Sequence, residues 1–204
     1  QISASSMSPD GRWLLVVTQA KGAEAGRTGK MPRYVTETGY EEAEDVRVRV
    51  GRNAPIAQQL HLVDLRDNGV RALPLSALPG IGTDPLADLR QAAKLEPLKG
   101  ERDVRIAGIQ WSDDGRGVAV MARAIDNKDR WIATVDLAAG KLAPAHRLTD
   151  PGWINWSFNE FGWMPDGRLW FLSEESGWAH FYTAEASGKP VQHTRGRWEV
   201  SDPV

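Results

Sequence analysis

The strongest constraint on the fold is a tripeptide, Asp-Gly-Arg, that occurs three times and is followed each time by an apolar run. The copies begin at Asp10, Asp114 and Asp166, so they are spaced 104 and 52 residues apart, a ratio of two to one. Asp-Gly between apolar runs predicts a β-hairpin, because glycine takes a positive φ and aspartate bonds its own backbone. The sequence therefore predicts a repeat built from strand, Asp-Gly turn and strand.

The second copy shows a complete repeat unit. Four short strands are predicted within about 45 residues, the length of one propeller blade; they cover 104–111, 117–124, 131–137 and 142–148. The chain is therefore predicted to be all-β, a partial β-propeller of about three four-stranded antiparallel blades. The predicted blades cover 1–77, 103–149 and 153–195, and a further blade begins at 196–204.

Two insertions interrupt the repeat. In the segment 20–59, three valines alternate with two arginines, a period-2 pattern that predicts a projecting hairpin arm with an apolar face; these residues are Val46, Arg47, Val48, Arg49 and Val50. In the segment 80–102, Asp84 is predicted as the N-cap and Pro85 as the first residue of one short helix. Leu86, Leu89 and Ala93 would lie on one face of that helix.

Composition excludes several classes of function. The net charge is only −2, which disfavours binding to nucleic acid or an anionic membrane, and no apolar run approaches the roughly 20 residues of a membrane span. The chain has no cysteine, and its four histidines lack the spacing of a metal site. We therefore predict no cofactor and no metal. His180 is expected to make a hydrogen bond within its blade.

The third repeat resembles a known family. It contains Trp-Ile-Asn-Trp-Ser-Phe-Asn-Glu-Phe at 153–161, an Asp-Gly turn, Ser-Glu-Glu-Ser-Gly-Trp at 173–178, and His-Phe-Tyr at 180–182. Arg-Trp-Glu-Val at 197–200 and Val-Arg-Val-Gly-Arg-Asn-Ala-Pro at 48–55 extend the likeness. Together these segments resemble the propeller of the dipeptidyl peptidase IV branch of the prolyl oligopeptidase family of serine peptidases.

The resemblance implies an exopeptidase in which the propeller caps an α/β-hydrolase domain, selects short peptides and releases dipeptides from their N-termini. The sequence contains no G-x-S-x-G, so the strained elbow that presents a catalytic serine is absent from it. The family's paired glutamates would fall at or before Gln1, and Glu41 and Glu42 lie in the arm instead. The resemblance also implies a periplasmic or secreted protein.

Candidate substrate-cavity residues follow from the same resemblance. Trp156 lies where the family places an aromatic residue that faces the substrate cavity. In the family an arginine follows that aromatic residue, whereas this chain has Ser157 there. Glu160 is the third candidate, since with Glu174 and Glu175 it could form a paired-carboxylate site. The alternatives are a structural role for these glutamates and ordinary blade packing for Trp156. Glu174 and Glu175 belong to a hairpin, where carboxylates usually cap turns or face water.

The sequence leaves two further questions open, one about the arm and one about the function. In the family the arm contributes to a homodimer contact, and a partner subunit would cover the valine face; otherwise the arm folds back and buries the valines within one chain. The function itself has a rival from another class, a noncatalytic propeller scaffold that binds a protein or glycan. A downstream G-x-S-x-G followed by Asp and His would favour the enzyme.

Overall fold

A computed structural model describes residues 1–21, 28–48, 56–185 and 188–203. Within these ranges the strands form four antiparallel sheets, three of which have four strands each. Sheet 1 is ordered β1-β2-β5-β6, sheet 2 β7-β8-β9-β10 and sheet 3 β11-β12-β13-β14, while β3 and β4 form a two-stranded sheet. The strands are β1 (Ile2–Met7), β2 (Trp13–Gln19), β3 (Thr28–Arg33), β4 (Glu42–Val48), β5 (Gln58–Asp64), β6 (Gly69–Leu73), β7 (Val104–Trp111), β8 (Val118–Ala124), β9 (Asp129–Asp136), β10 (Lys141–Thr149), β11 (Phe161–Trp163), β12 (Leu169–Ser173), β13 (His180–Ala184) and β14 (Val191–Gln192).

The Asp-Gly turns have the predicted geometry. In the first turn, the Gly11 amide donates to the Ser8 carbonyl at 2.9 Å and the glycine has a φ of 69°. Asp10 Oδ1 accepts the Arg12 amide at 3.1 Å and the Ser8 hydroxyl at 2.5 Å. The hydroxyl bond, followed by the amide bond, holds the pKa of Asp10 below its ordinary value. The three four-stranded antiparallel sheets confirm the predicted partial propeller, and this turn confirms the predicted Asp-Gly hairpin.

Sheet 2 is buried on both faces because it packs between the other two sheets. Val118, Val120 and Ala122 of β8 join the apolar cluster shared with sheet 1. Ala119 and Met121, which alternate with them, join the cluster shared with sheet 3. Successive side chains of a strand point to opposite faces, so one strand supplies both cores.

The segment between sheets 1 and 2 contains a 3₁₀ turn at Leu75–Ala77 and one short helix, α1 (Ala87–Ala92). The prediction of a short helix is confirmed, but the predicted N-cap is wrong. The helix begins after Leu86, and Asp84 Oδ1 instead accepts the Leu86 amide at 2.9 Å while its Oδ2 pairs with Arg90 Nε at 2.8 Å. No residue of α1 is buried, and Leu89 is 68% exposed, so the predicted apolar face does not pack.

Candidate functional site

A cavity of about 560 Å³ opens between sheets 2 and 3. Its walls come from β7, β8, the loop that precedes β11, and β11 and β12; they are Ala107, Gly108, Gln110, Met121, Trp156, Asn159, Glu160, Phe161, Gly162 and Trp170. Ala107 reaches the wall because the pairing of β7 with β8 shifts register between Ile106 and Gly108, which re-aims the strand locally. The cavity is therefore built by strand irregularity on one side and by a loop on the other.

Trp156 lies on the loop between β10 and β11 and is half-buried. Its indole Nε1 donates to Asn127 Oδ1 at 3.3 Å, and the Arg123 guanidinium carbon lies 5.0 Å from the ring centroid. Ile154 anchors the same loop, since it is 1% exposed and its amide donates to the Asn127 carbonyl at 2.9 Å. Sheet 2 thus fixes the orientation of a ring that belongs to the loop before sheet 3.

The three predicted cavity residues have different positions. Trp156 and Glu160 line the cavity, whereas Ser157 is exposed and is not one of the lining residues. Among the described residues, Glu160 Oε2 is buried and has no hydrogen-bond partner. A carboxylate oxygen without a donor is destabilising when it is buried, so this atom is suited to accept a hydrogen bond from a ligand.

A fully buried arginine supports the loop from below. Arg130 of β9 donates through Nη1 to Asn159 Oδ1 at 2.7 Å and to the Leu172 carbonyl at 2.8 Å. Asn159 in turn donates to the Asn155 carbonyl within the loop. Burial lowers the pKa of Arg130 to about 10, an effect that Glu175 and Glu174 oppose. Arg130 therefore remains charged at neutral pH and joins sheet 2 to both the loop and β12.

His146 of β10 extends this network from the buried Arg130 to the exposed Glu175. Its Nδ1 lies 3.2 Å from Arg130 Nη2 and its Nε2 lies 2.8 Å from Glu175 Oε2. A guanidinium only donates, so Nδ1 must be the acceptor, and the imidazole is neutral with its proton on Nε2. Burial lowers the pKa of His146, and the Glu175 hydrogen bond only partly offsets it. Arg130 therefore donates a hydrogen bond to His146, and His146 donates one to Glu175.

The two hairpin glutamates have different hydrogen-bond partners. Glu175 is exposed, as expected for a hairpin carboxylate, and it accepts a hydrogen bond from His146 that lowers its pKa. Glu174 Oε1 accepts from Asn155 Nδ2 at 3.5 Å, and burial raises the pKa of this carboxyl. Sequence reasoning missed Arg130 and His146; the available signal was a charged residue directly before the apolar residues of β9.

The prediction for His180 is confirmed. It is 2% exposed, its Nε2 lies 3.1 Å from the Gly196 carbonyl, and its Nδ1 lies 3.1 Å from the Thr194 hydroxyl. The carbonyl only accepts, so Nε2 carries the proton. Within the described ranges, no group of three or more His, Cys, Asp or Glu side chains is arranged to hold a metal ion. In the same part of the chain, no helix is long and apolar enough to cross a membrane.

The predicted arm is a two-stranded hairpin, β3 paired with β4. Among the alternating valines and arginines, Val46 is half-buried and lies opposite Gly29. Arg47 and Val48 are the last residues of β4, and Arg49 and Val50 lie outside the described residues. Across the hairpin, Lys30 pairs with Asp45 at 2.7 Å and Arg33 with Glu44 at 2.6 Å. The hairpin tip exposes large apolar and aromatic side chains, among them Tyr34, Val35 and Tyr40.

Comparison with known proteins gives the chain its family. No curated protein matches it in sequence. Among solved structures, it superposes on Porphyromonas gingivalis dipeptidyl peptidase 4 with a TM-score of 0.61 and 19% identity, over 97% of this chain and 25% of that one. A putative dipeptidyl aminopeptidase IV from Bacteroides ovatus gives 0.61 and 14% identity, over 97% and 27%.

The chain thus spans about a quarter of the length of these two proteins, and at such identities the likeness concerns the fold. The family evidence comes from the sequence: residues 3–204 match the family described as the dipeptidyl peptidase IV (DPP IV) N-terminal region. The match covers nearly the whole chain, including sheets 2 and 3 and the cavity between them. The chain therefore belongs to the family of dipeptidyl peptidase IV N-terminal regions.

Proposed function

We propose that the chain is the substrate-selecting propeller portion of a serine exopeptidase that releases dipeptides from the N-termini of short peptides. The catalytic serine, aspartate and histidine would come from an α/β-hydrolase domain elsewhere in the full-length protein, since this sequence has no G-x-S-x-G. Family membership supports the proposal at the level of the propeller. A periplasmic or secreted location belongs to the same proposal.

The observation that carries the proposal is the pairing of Trp156 with Glu160 in one cavity wall. The indole offers an apolar surface for a substrate side chain. The buried Glu160 Oε2, which lacks a partner among the described residues, offers an acceptor for a peptide N–H or an ammonium group. A small apolar cavity with a few oriented polar groups is the usual form of a small-ligand site.

Selection for short peptides would follow from rigidity. Arg130 and His146 tie sheet 2 to sheet 3 beneath the cavity, so its walls do not part easily to admit a folded protein. The full-length protein is therefore expected to cleave peptides of a few residues and to leave folded proteins intact.

The test is replacement of Trp156 by alanine in the full-length protein, with alanyl-prolyl-p-nitroanilide as substrate. We expect KM to rise at least several-fold, because the ring contacts substrate, while the melting temperature barely changes. Trp153→Ala is the matched control, since Trp153 lies on the same loop but is 70% exposed and outside the cavity. A large loss of melting temperature with unchanged KM would identify Trp156 as a packing residue.

We further propose that the arm mediates homodimerisation. Support comes from its form, a separate hairpin whose tip exposes Tyr34, Val35 and Tyr40 to solvent. Apolar side chains on a projecting hairpin are usually covered by a partner. By the alternation in the sequence, Val46, Val48 and Val50 would supply the contact, and Arg47 and Arg49 its polar rim.

Light scattering of the full-length protein tests this proposal. We expect a dimer that Val48→Asp converts to monomer, because the new carboxylate would be desolvated in the interface. Val70→Asp is the control, since Val70 of β6 is already 64% exposed. A dimer that survives Val48→Asp, or a monomeric wild type, would show that the arm acts within one chain.

A further inference from the structure

Two arginines oppose each other on the face of sheet 2 that looks towards sheet 3. Arg105 of β7 is the direct cross-strand partner of Arg123 of β8. Arg123 is two residues from Met121, which packs against sheet 3, so both side chains leave the strand on the same face. Like charges directly opposite each other on adjacent strands are destabilising. The fold keeps this pair beside the cavity nonetheless.

The next strand extends the pair into a row. Arg130 of β9 is the cross-strand partner of Arg123 on its other side. The charge of Arg130 is compensated, because His146 connects it to Glu175 and both Glu174 and Glu175 favour its charged form. The row is therefore neutralised at its Arg130 end by groups from sheet 3.

Arg123 is not neutralised in this way. Within the described ranges, its guanidinium has no carboxylate within ion-pair distance and donates no hydrogen bond, and its contact is with the face of the Trp156 ring. Burial, and after it the nearby Arg105, lowers its pKa. A guanidinium has five N–H donors in a planar fork that matches a carboxylate. Arg123 thus presents unused donors next to a residue that lines the cavity.

We propose that Arg123, with Arg105 beside it, forms a subsite for a carboxylate group of a peptide bound in the Trp156 cavity. This inference rests on the proposed function, since it names the chemistry that the same cavity prefers. A carboxylate in this position would accept bidentate hydrogen bonds from Arg123 and would relieve its repulsion from Arg105. The carboxylate can be the C-terminus of a short peptide or an acidic side chain.

The alternative is that Arg123 only packs on Trp156. A packing role requires the contact between guanidinium and ring but gives no preference between an acid and an amide. A subsite requires a preference that depends on charge and weakens with salt, because the site is partly open to solvent. The two roles therefore differ in what peptide binding measures.

Binding is measured by calorimetry on the full-length protein with three peptides whose bond after proline is N-methylated to prevent cleavage. They are Ala-Pro-Ala-Ala as the free acid, the same peptide as its C-terminal amide, and Ala-Pro-Glu-Ala amide. At low salt we expect at least one carboxylate-bearing peptide to bind about fivefold more tightly than the neutral amide, the effect of one charge-assisted pair. The peptide that shows the preference identifies the source of the carboxylate.

Variants assign the preference to Arg123. Arg123→Met should abolish it, Arg123→Lys should retain part of it, and Arg116→Met should leave it intact, because the Arg116 side chain is 88% exposed at the turn of the same sheet. Should Arg123→Met fail to fold, Arg105→Met and the salt dependence of the wild type give the same information. High salt should bring the three affinities together.

Equal affinities for the three peptides at low salt, or no binding of any of them, would overturn the subsite. A preference that persists in Arg123→Met would overturn it as well. Failure of the proposed function is a separate result: no hydrolysis of alanyl-prolyl-p-nitroanilide would refute the exopeptidase, while an Arg123-dependent preference for the acid would still establish the subsite.

Discussion

Replacing Arg130 by methionine tests the network that joins sheet 2 to sheet 3. Methionine keeps most of the length of the side chain and can fill the same space, but it removes the charge and every donor. Three acceptors then lose their partner, namely the Leu172 carbonyl, Asn159 Oδ1 and His146 Nδ1. The substitution therefore separates the hydrogen-bonding role of Arg130 from its packing.

The expected loss of stability follows from those acceptors. The Leu172 carbonyl belongs to a fully buried residue and the Asn159 amide to a half-buried one. Leaving a buried polar group unsatisfied costs about 1–3 kcal/mol each. Part of this loss is offset, because a fully buried guanidinium, whose pKa is lowered to about 10, is itself unfavourable. We expect a net loss of about 3 kcal/mol, or about 6–12 °C in melting temperature for a domain of this size.

Thermal unfolding of the full-length protein, followed by tryptophan fluorescence, measures this effect. Arg116→Met is the matched control, because it makes the same chemical change at an exposed position and should alter the melting temperature by less than about 2 °C. The KM for peptide should also rise in Arg130→Met, because Asn159 would no longer hold the loop that carries Trp156. A melting temperature equal to that of the control would refute the assignment of Arg130 as the brace between the sheets.

Two other predictions follow from the same region. Stability should fall as the pH drops below 6.5, because His146 takes up a proton there in the unfolded chain, whereas its lowered pKa keeps it neutral in the folded protein. The folded pKa of Glu175 is also lowered, so its protonation in the unfolded chain adds a second loss of stability below 4.5. Glutamine at position 146 can accept a hydrogen bond from Arg130 and donate one to Glu175, but it does not titrate. In urea unfolding, His146→Gln should therefore flatten the decline of the free energy of unfolding between pH 6.5 and 4.5. An unchanged slope would contradict this role of His146. Gly108→Ala should lower stability by about 1–3 kcal/mol, because a Cβ there would lie 2.8 Å from Phe161 Cε1 in the cavity wall. Gly82→Ala is its control, since the nearest atom to that Cβ is 4.0 Å away, and equal unfolding midpoints for the two variants would show that Phe161 yields freely.

The repeated hairpins could be read from the sequence because their causes are local. An Asp-Gly turn depends on the φ freedom of one glycine and on an aspartate that bonds a backbone amide two residues on. Both requirements are written within a few residues, so three turns and their flanking strands were predictable. The helix start was predicted wrongly, because Asp84 binds the Leu86 amide as an N-cap side chain would, but the chain becomes helical only at Ala87.

The candidate site was predictable only in part. The resemblance suggested Trp156, and its carboxylate suggested Glu160; both line the cavity between sheets 2 and 3, whereas Ser157 does not, and their contact with substrate stays a prediction. The brace of Arg130, His146 and Glu175 was missed, because its members are up to 45 residues apart and come from two sheets.

The sequence alone therefore determined the repeat, the all-β class and the positions of the insertions, since these depend on turn chemistry and on alternation along single strands. Only the tertiary structure decided which polar groups are buried in contact with one another. Arg130 is an ordinary charged residue in the sequence, and it became a fully buried guanidinium because sheet 3 packs over it and supplies the Leu172 carbonyl and, through His146, the carboxylate of Glu175. Burial and partners are properties of the packed sheets, and they set the protonation and strength of every contact around the cavity.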